Sequence, residues 1–262
     1  MKSIQFYLFF LMSTLILLSL SACGNNGQAE SENELLVAAA SDLTVAFTEI
    51  GPLFEEESGA RITFSFGSTG QLADQIENGA PFDVFAAANR SFVDNLREKK
   101  FVFADSQTTY AFGRIGIAAL PSSSYTVETM DDLLNPDIKK IAIANPDHAP
   151  YGLAAKQALQ SAGVWDEVKE KLVFGRNISD TLSYIKTGNV EAGIIALSLY
   201  EEGDVGFNII KDELHEPLEQ SIAVVKRTSQ EELSRDFINF LTGPIGKPIM
   251  ESYGFIVPKE HE

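Results

Sequence analysis

Short apolar runs alternate with helical patterns along this chain, and this alternation most constrains the fold. Three apolar runs, at 34–41, 61–68 and 82–88, are each followed by a segment with apolar residues at helical spacing. Strands separated by helices are typical of parallel sheets that carry helices on both faces. The pattern therefore predicts an α/β fold.

The pattern restarts after Tyr110 and predicts a second lobe. This many parallel strands would not fit in one compact sheet, so we expect two lobes. Lobe one would hold residues 34–111 plus 228–262, and lobe two would hold residues 112–227. A ligand cleft would then lie between the lobes, near the carboxyl ends of strands. The further apolar runs lie at 112–120, 140–146, 172–177, 191–197 and 221–227.

The N-terminus has the pattern of an export signal. Lys2 precedes an uncharged apolar run, and Leu20-Ser21-Ala22-Cys23 resembles the bacterial lipobox, in which the cysteine is lipidated. Residues 1–22 are thus predicted to be a lipoprotein signal peptide, and the polar stretch 23–33 a flexible tether. A lipid anchor at Cys23 would hold the protein on the extracytoplasmic face of the cell membrane. A plain signal peptide or a single membrane anchor are the alternatives.

The acidic composition limits the possible partners. The 262 residues include 20 Lys and Arg against 37 Asp and Glu, which gives a formal net charge of −17. Such a surface argues against nucleic-acid binding, which requires positive charge. An anionic ligand would also be repelled at long range, so it would have to be held by local donors.

No catalytic motif is visible in the sequence. The three histidines, His148, His215 and His261, are far apart and lack metal-ligand spacing. The chain contains no HExxH, GxSxG or P-loop pattern. We therefore expect a protein that is not an enzyme and that needs no cofactor.

Several predicted strands end in small or hydroxyl residues just before a helix. Ser41 ends the first strand, and Ser68 and Thr69 end the second; the stretches 145–152 and 175–179 precede later helices. Helix beginnings expose unpaired N–H groups and a positive dipole end, so several together could bind an anion without a cationic side chain. Taken singly, each junction is better explained as an ordinary helix N-cap.

Four motifs carry a family resemblance: VAAASDL, FGSTGQLADQIENGAPFDVFAAA, IAIANPDHAPYGLAAKQAL and YGFIVP. With them the chain resembles the substrate-binding proteins of molybdate ABC importers. The resemblance implies a two-lobed type II periplasmic-binding-protein fold that closes on molybdate. Tungstate has nearly the same size, so we expect it to bind as well. The resemblance also implies delivery of the anion to an ABC permease, with molybdenum bound only as the oxyanion. A monomer would suit this transport role best.

The resemblance also implies the ligand-binding residues. The hydroxyl donors fall on Ser41 and on either Ser68 or Thr69, and the amide donors fall on Tyr151 and Ile178. Ala196 is a weaker candidate, at a position where some members have a tyrosine. Asp42 looks like a one-residue insertion beside Ser41. A binding protein for sulfate or another small tetrahedral oxyanion is the alternative, and a secreted enzyme acting on an anionic substrate is the third hypothesis.

Overall fold

The computed structural model describes residues 33–123 and 125–258. The predicted signal peptide at 1–22, Cys23 and the tether up to residue 32 lie outside these residues. Within the described part of the chain, no helix has the length and apolar character needed to cross a bilayer.

Ten strands occur in the described residues and form two five-stranded sheets. The first sheet has the order β2-β1-β3-β10-β4 and the second has the order β7-β6-β8-β5-β9. Two separate sheets confirm the predicted two-lobed α/β architecture. In chain order the strands are β1 (Glu34–Ala40), β2 (Arg61–Gly67), β3 (Val84–Ala87), β4 (Thr108–Gly113), β5 (Ile115–Ala119), β6 (Ile141–Ala144), β7 (Leu172–Gly175), β8 (Ala192–Ala196), β9 (Gly206–Ile209) and β10 (Leu218–Val224).

Both sheets are mixed, so the expectation of purely parallel sheets is wrong. In the first sheet β1 is parallel to β2 and β3, but β10 is antiparallel to β3 and β4. In the second sheet β5 is antiparallel to β8 and β9. The antiparallel direction of β10 has a simple cause. β4 leads the chain out of the first lobe, and β10 brings it back in the opposite direction.

The predicted lobe boundaries need two corrections. The apolar run 112–120 is not one strand, because β4 ends at Gly113 in the first sheet and β5 begins at Ile115 in the second. Lobe two was also expected to extend to residue 227, yet β10 is hydrogen-bonded between β3 and β4. The chain therefore crosses between the sheets at Arg114 and again between β9 and β10.

The helices cover the sheets, and those near the C-terminus pack on lobe one. The ring of Phe237 lies 5.8 Å from Phe47 and 5.2 Å from Phe54, in edge-on arrangements. Such pairs add about 0.5–1.5 kcal/mol each beyond the buried area. In chain order the α-helices of the described residues are α1 (Thr44–Ser58), α2 (Thr69–Glu77), α3 (Arg90–Glu98), α4 (Pro150–Ser161), α5 (Trp165–Val168), α6 (Ile178–Lys186), α7 (Glu231–Leu241) and α8 (Gly246–Ser252).

Strand register brings the predicted junctions to one edge in each lobe. In the first sheet Ala40, the last residue of β1, pairs with Gly67, the last residue of β2. In the second sheet Ala144 of β6 pairs with Gly175 of β7. The segments that follow these strands therefore start side by side, as parallel strands require.

Candidate functional site

A small cavity lies where the strand ends of the two sheets meet. The space that the centre of a water-sized sphere can occupy is about 10 Å³, so the cavity has room for roughly one water molecule. All five of the stronger candidate binding residues are among those that line it. The lining residues are Ala40, Ser41, Asp42, Gly67, Ser68, Thr69, Ala88, Ala149, Pro150, Tyr151 and Ile178.

Direct hydrogen bonds join the lobes around this cavity. The amide of Gly70 donates to the carbonyl oxygen of His148 at 2.9 Å. The hydroxyl of Ser179 donates to the carbonyl oxygen of Ser41 at 3.0 Å. Each bond joins a segment of lobe one to a segment of lobe two, so the lobes are closed on each other at the site.

Ser41 contributes a free hydroxyl at the end of β1. The residue is 4% exposed, and its carbonyl oxygen accepts from the Thr44 hydroxyl at 2.7 Å. Its own hydroxyl makes no hydrogen bond to any other described residue. Because neither Ser41 nor Asp42 caps the helical turn that they begin, the ordinary N-cap alternative does not hold at this junction.

Ser68 and Thr69 play different structural roles at the second junction. Ser68 Oγ donates to the His148 carbonyl oxygen at 2.8 Å and lies 2.6 Å from His148 Nδ1. Thr69 Oγ1 accepts from the Ala88 amide at 3.1 Å, which leaves the proton of that hydroxyl available. Ser68 precedes α2 but does not cap it with its side chain. The geometry therefore favours Thr69 as the hydroxyl donor and assigns Ser68 to the contact between the lobes.

The second lobe presents the beginnings of two helices. Tyr151 is the second residue of α4, and Ile178 is the first residue of α6. Amides in the first turn of a helix have no partner within that helix. Asn177 caps α6 by accepting from the Asp180 amide at 2.9 Å, so its side chain does not occupy the Ile178 amide.

Ala196 is not among the residues that line the cavity. It ends β8, is fully buried and pairs with Ile115 of β5. Its methyl side chain has no hydrogen to donate. The neighbouring turn reaches the site in another way, since the Ser198 hydroxyl donates to the backbone carbonyl of Asp42 at 2.8 Å.

Asp42 is the one charged residue in the cavity wall. Its Oδ2 accepts from the Tyr151 hydroxyl at 3.0 Å and from Gln220 Nε2 at 2.8 Å, while Oδ1 has no partner among the described residues. Burial raises the pKa of Asp42 to about 6, although hydrogen bonds from Tyr151, Gln220 and its own backbone amide act in the opposite direction. Burial, and then the nearby Asp42 carboxyl, raise the pKa of Tyr151 and of Tyr110 well above the usual value.

Sequence reasoning missed the polar network behind Asp42 and gave His148 no role. Tyr110 donates to Gln220 Oε1 at 3.1 Å, and Gln220 in turn contacts Asp42. A Cβ at Gly113 would lie 2.1 Å from the Tyr151 hydroxyl oxygen, so this position has room only for glycine. Gln220 did leave a signal, because it is a polar residue directly before the apolar run at 221–227.

The donor set fits an anion better than a cation. Apart from Asp42, the cavity wall offers only neutral groups, and no Lys or Arg lines it. Elsewhere in the described residues, no three His, Cys, Asp or Glu side chains come together in a way that could hold a metal ion. Neutral donors at helix beginnings are the usual means of binding a small oxyanion without a cationic side chain.

Comparisons with known proteins agree with this architecture. The molybdate-binding protein ModA of Azotobacter vinelandii is 34% identical over 228 residues, which is 85% of this chain and 89% of the relative. A solved structure of the periplasmic molybdate-binding protein of Azotobacter vinelandii superposes with a TM-score of 0.81 at 26% identity, covering 86% of this chain and 100% of that one. A Bacillus subtilis protein, YvgL, provisionally named an ABC transporter substrate-binding lipoprotein, is 27% identical over 96% of this chain and 98% of its own length.

These relatives confirm the resemblance that the four sequence motifs carry. The family described as bacterial extracellular solute-binding protein matches residues 35–256, which include the ten strands of the described residues, apart from Glu34 at the start of β1, and their eight α-helices. The chain therefore belongs to the family of bacterial extracellular solute-binding proteins.

Proposed function

We propose that this protein captures molybdate between its lobes and delivers it to the permease of an ABC importer. The observation that carries the proposal is the convergence of four strand-to-helix junctions, two from each lobe, on one cavity. The relatives named as molybdate-binding proteins support the identity of the ligand. The relatives are named as binding proteins, and we propose no catalytic step.

The proposed ligand contacts are two hydroxyls and two amides. Ser41 and Thr69 would donate through their side chains, and Tyr151 and Ile178 through their backbone N–H groups. Molybdate is a fully ionised tetrahedral dianion at neutral pH, so a site built of donors suits it. Phosphate carries a proton at that pH and requires an acceptor as well.

Lobe closure would enclose the anion and exclude water. Because the cavity has room for only about one water molecule, the lobes would stand slightly further apart around molybdate than they do in this structure. The bonds from Gly70 to His148 and from Ser179 to Ser41 hold the lobes together beside the cavity. A hydrogen bond of this kind contributes about 0.5–1.5 kcal/mol, so a few of them can be broken when the permease opens the protein. Release would therefore need no chemical change in the anion.

Calorimetric titration with molybdate, tungstate and sulfate tests the proposed ligand. Tungstate has nearly the size of molybdate and the same charge, so we expect both to bind one anion per chain. Sulfate is smaller, and we expect its affinity to be lower by at least about tenfold, or about 1.4 kcal/mol. Equal affinity for sulfate would contradict the named ligand and favour a general oxyanion-binding protein.

We also propose that the protein works as a monomer tethered to the membrane by lipid on Cys23. The lipobox-like sequence supports this anchor, as does the Bacillus subtilis relative with its lipoprotein name. Replacing Cys23 with Ala should move the protein from the membrane fraction to the soluble fraction. Retention of the variant in the membrane fraction would mean that another segment anchors it.

A further inference from the structure

The proposed binding contacts leave one residue of the cavity wall without a role. Asp42 lines the cavity and is completely buried, yet a carboxylate beside a dianion is electrostatically unfavourable. At the same time, its Oδ1 atom is buried and has no partner among the described residues. An unpaired buried polar atom costs about 1–3 kcal/mol, so this arrangement requires an explanation.

The hydrogen bonds of Asp42 are those of a neutral carboxylic acid. Both side-chain donors, the Tyr151 hydroxyl and Gln220 Nε2, reach Oδ2. An ionised carboxylate accepts at both oxygens, whereas a protonated one has an accepting oxygen and a hydroxyl that donates. Oδ2 therefore matches the accepting oxygen. Oδ1 lines up with no donor or acceptor of the described residues, so a proton on Oδ1 would have an oxyanion in the cavity as its acceptor.

The surroundings of Asp42 contain no positive charge that could stabilise an ionised form. The titratable groups that act on it are Tyr151 of α4 and Tyr110 of β4, and both are buried. From β10 it faces the neutral Gln220, and the turn after β8 contributes the Ser198 hydroxyl, which reaches only its backbone. From α6 the Ser179 hydroxyl donates to the carbonyl oxygen of the preceding residue, Ser41. Among the described residues, no Lys, Arg or His pairs with Asp42.

We propose that Asp42 is protonated on Oδ1 whenever the cavity holds the oxyanion, so that binding takes up one proton. This inference rests on the proposed function, because it concerns the same site. The proton comes from solvent and converts the carboxylate to the acid, with no other bond made or broken. Burial already raises the pKa of Asp42 to about 6, and a dianion in the cavity acts in the same direction.

Linkage then gives the pH dependence of binding. Anion binding and protonation of Asp42 favour each other, and this coupling is reciprocal. The anion must therefore bind more tightly at a pH where Asp42 is already protonated. Below about pH 6 Asp42 is mostly protonated before binding, so affinity should change little there. At higher pH each unit should weaken binding by up to about tenfold, because one proton must be acquired for each anion.

Calorimetry of molybdate binding tests the inference directly. The titrations are run at about pH 5.5 and about pH 8, each in two non-phosphate buffers with different ionisation heats, so that the heat difference counts the protons taken up. We expect close to one proton per anion at the higher pH and a small fraction at the lower. In Asp42→Asn the uptake should disappear and the affinity should become independent of pH. The matched control is Asp137→Asn, an exposed aspartate, which should behave like the unchanged protein.

Each outcome of this experiment is decisive. Molybdate binding with no proton uptake at the higher pH, or equal uptake in Asp42→Asn, would overturn the inference and leave the proposed function intact. If Asp42→Asn does not fold, the proton count of the unchanged protein decides alone. Absence of molybdate binding at both pH values would overturn the proposed function and this inference with it.

Discussion

The two walls of the cavity differ in how they present hydrogen-bond donors. The lobe-one wall offers the side-chain hydroxyls of Ser41 and Thr69 and places the Asp42 carboxyl beside them. The lobe-two wall offers backbone amides at the beginnings of α4 and α6. Side-chain chemistry, and with it sensitivity to pH, is therefore concentrated in lobe one.

This difference predicts which substitutions matter. Removing a side chain deletes a donor from the lobe-one wall, but a backbone amide persists through every substitution except proline. Apart from Tyr151, whose hydroxyl donates to Asp42, residues of the lobe-two wall can thus change their side chains and still offer the same amides to the anion. The contrast can be tested by pairing a substitution in one wall with its counterpart in the other.

The largest expected effect is on stability and comes from Asp42. In the unfolded chain its pKa is 3.8, and in the folded protein burial raises it to about 6. Asp42 therefore contributes about 3 kcal/mol to the free energy of unfolding below about pH 4. This contribution is lost as the pH rises through about 6. Asn at position 42 does not titrate, so the Asp42→Asn variant does not lose this contribution. The difference in the free energy of unfolding, variant minus unchanged protein, should therefore rise by up to about 3 kcal/mol between about pH 4 and pH 7.

Denaturant titrations of both proteins at several pH values measure this difference, with Asp137→Asn as the exposed control. A difference between Asp42→Asn and the unchanged protein that stays constant with pH would show that Asp42 ionises normally.

The next largest effects should come from the hydroxyls of lobe one. Ser41→Ala and Thr69→Val each delete one hydrogen bond to a charged ligand, worth about 1.5–3 kcal/mol, so the molybdate Kd should rise by roughly ten- to hundredfold. Ser68→Ala is the matched comparison, because the Ser68 hydroxyl is occupied by His148. We expect it to cost about 1 kcal/mol, through weaker closure. A larger loss in Ser68→Ala than in Thr69→Val would reassign the hydroxyl donor.

A proline at position 178 tests the backbone donor of lobe two. Ile178 is the first residue of α6, where proline is tolerated, and the preceding Asn177 is extended, as proline requires. Ile178→Pro should therefore keep the helix but remove the amide, raising the molybdate Kd by about tenfold. Ile178→Val keeps the amide, and its Kd should stay within about twofold. Similar affinities for the two variants would exclude this amide as a ligand.

The smallest expected effect comes from a steric change at the lobe contact. A Cβ at Gly70 would lie 2.7 Å from the His148 carbonyl oxygen, so Gly70→Ala should hold the lobes slightly apart. We expect the molybdate Kd to rise by about fivefold, or about 1 kcal/mol. Gly206→Ala is the control, because its nearest atom would be 3.6 Å away. Equal affinities for these two variants would mean that this contact does not limit closure.

Local sequence patterns were enough to predict the junctions that line the cavity. Ser41, Thr69 and Ile178 each lie where an apolar run gives way to a helical pattern, and parallel strands bring such positions to one edge. The choice between Ser68 and Thr69 was beyond the sequence, because both are hydroxyl residues at one junction. Only the contacts with His148 and Ala88 distinguish them.

Long-range pairing accounts for what the sequence could not predict. β10 reads as one more apolar run, and nothing local indicates that it returns to the first sheet. The setting of Asp42 depends on Tyr110, Tyr151 and Gln220, which are far apart in the chain. Its lack of a capping role and its burial against these groups follow from tertiary packing alone.

A crystal structure of the protein with molybdate, with data collected at the molybdenum absorption edge, tests the central claim most directly. We predict an anomalous peak in the cavity, with the hydroxyls of Ser41 and Thr69 and the amides of Tyr151 and Ile178 at about 2.7–3.2 Å from the oxyanion oxygens. A peak outside this cavity, or an anion bound by a lysine or arginine side chain, would contradict the claim.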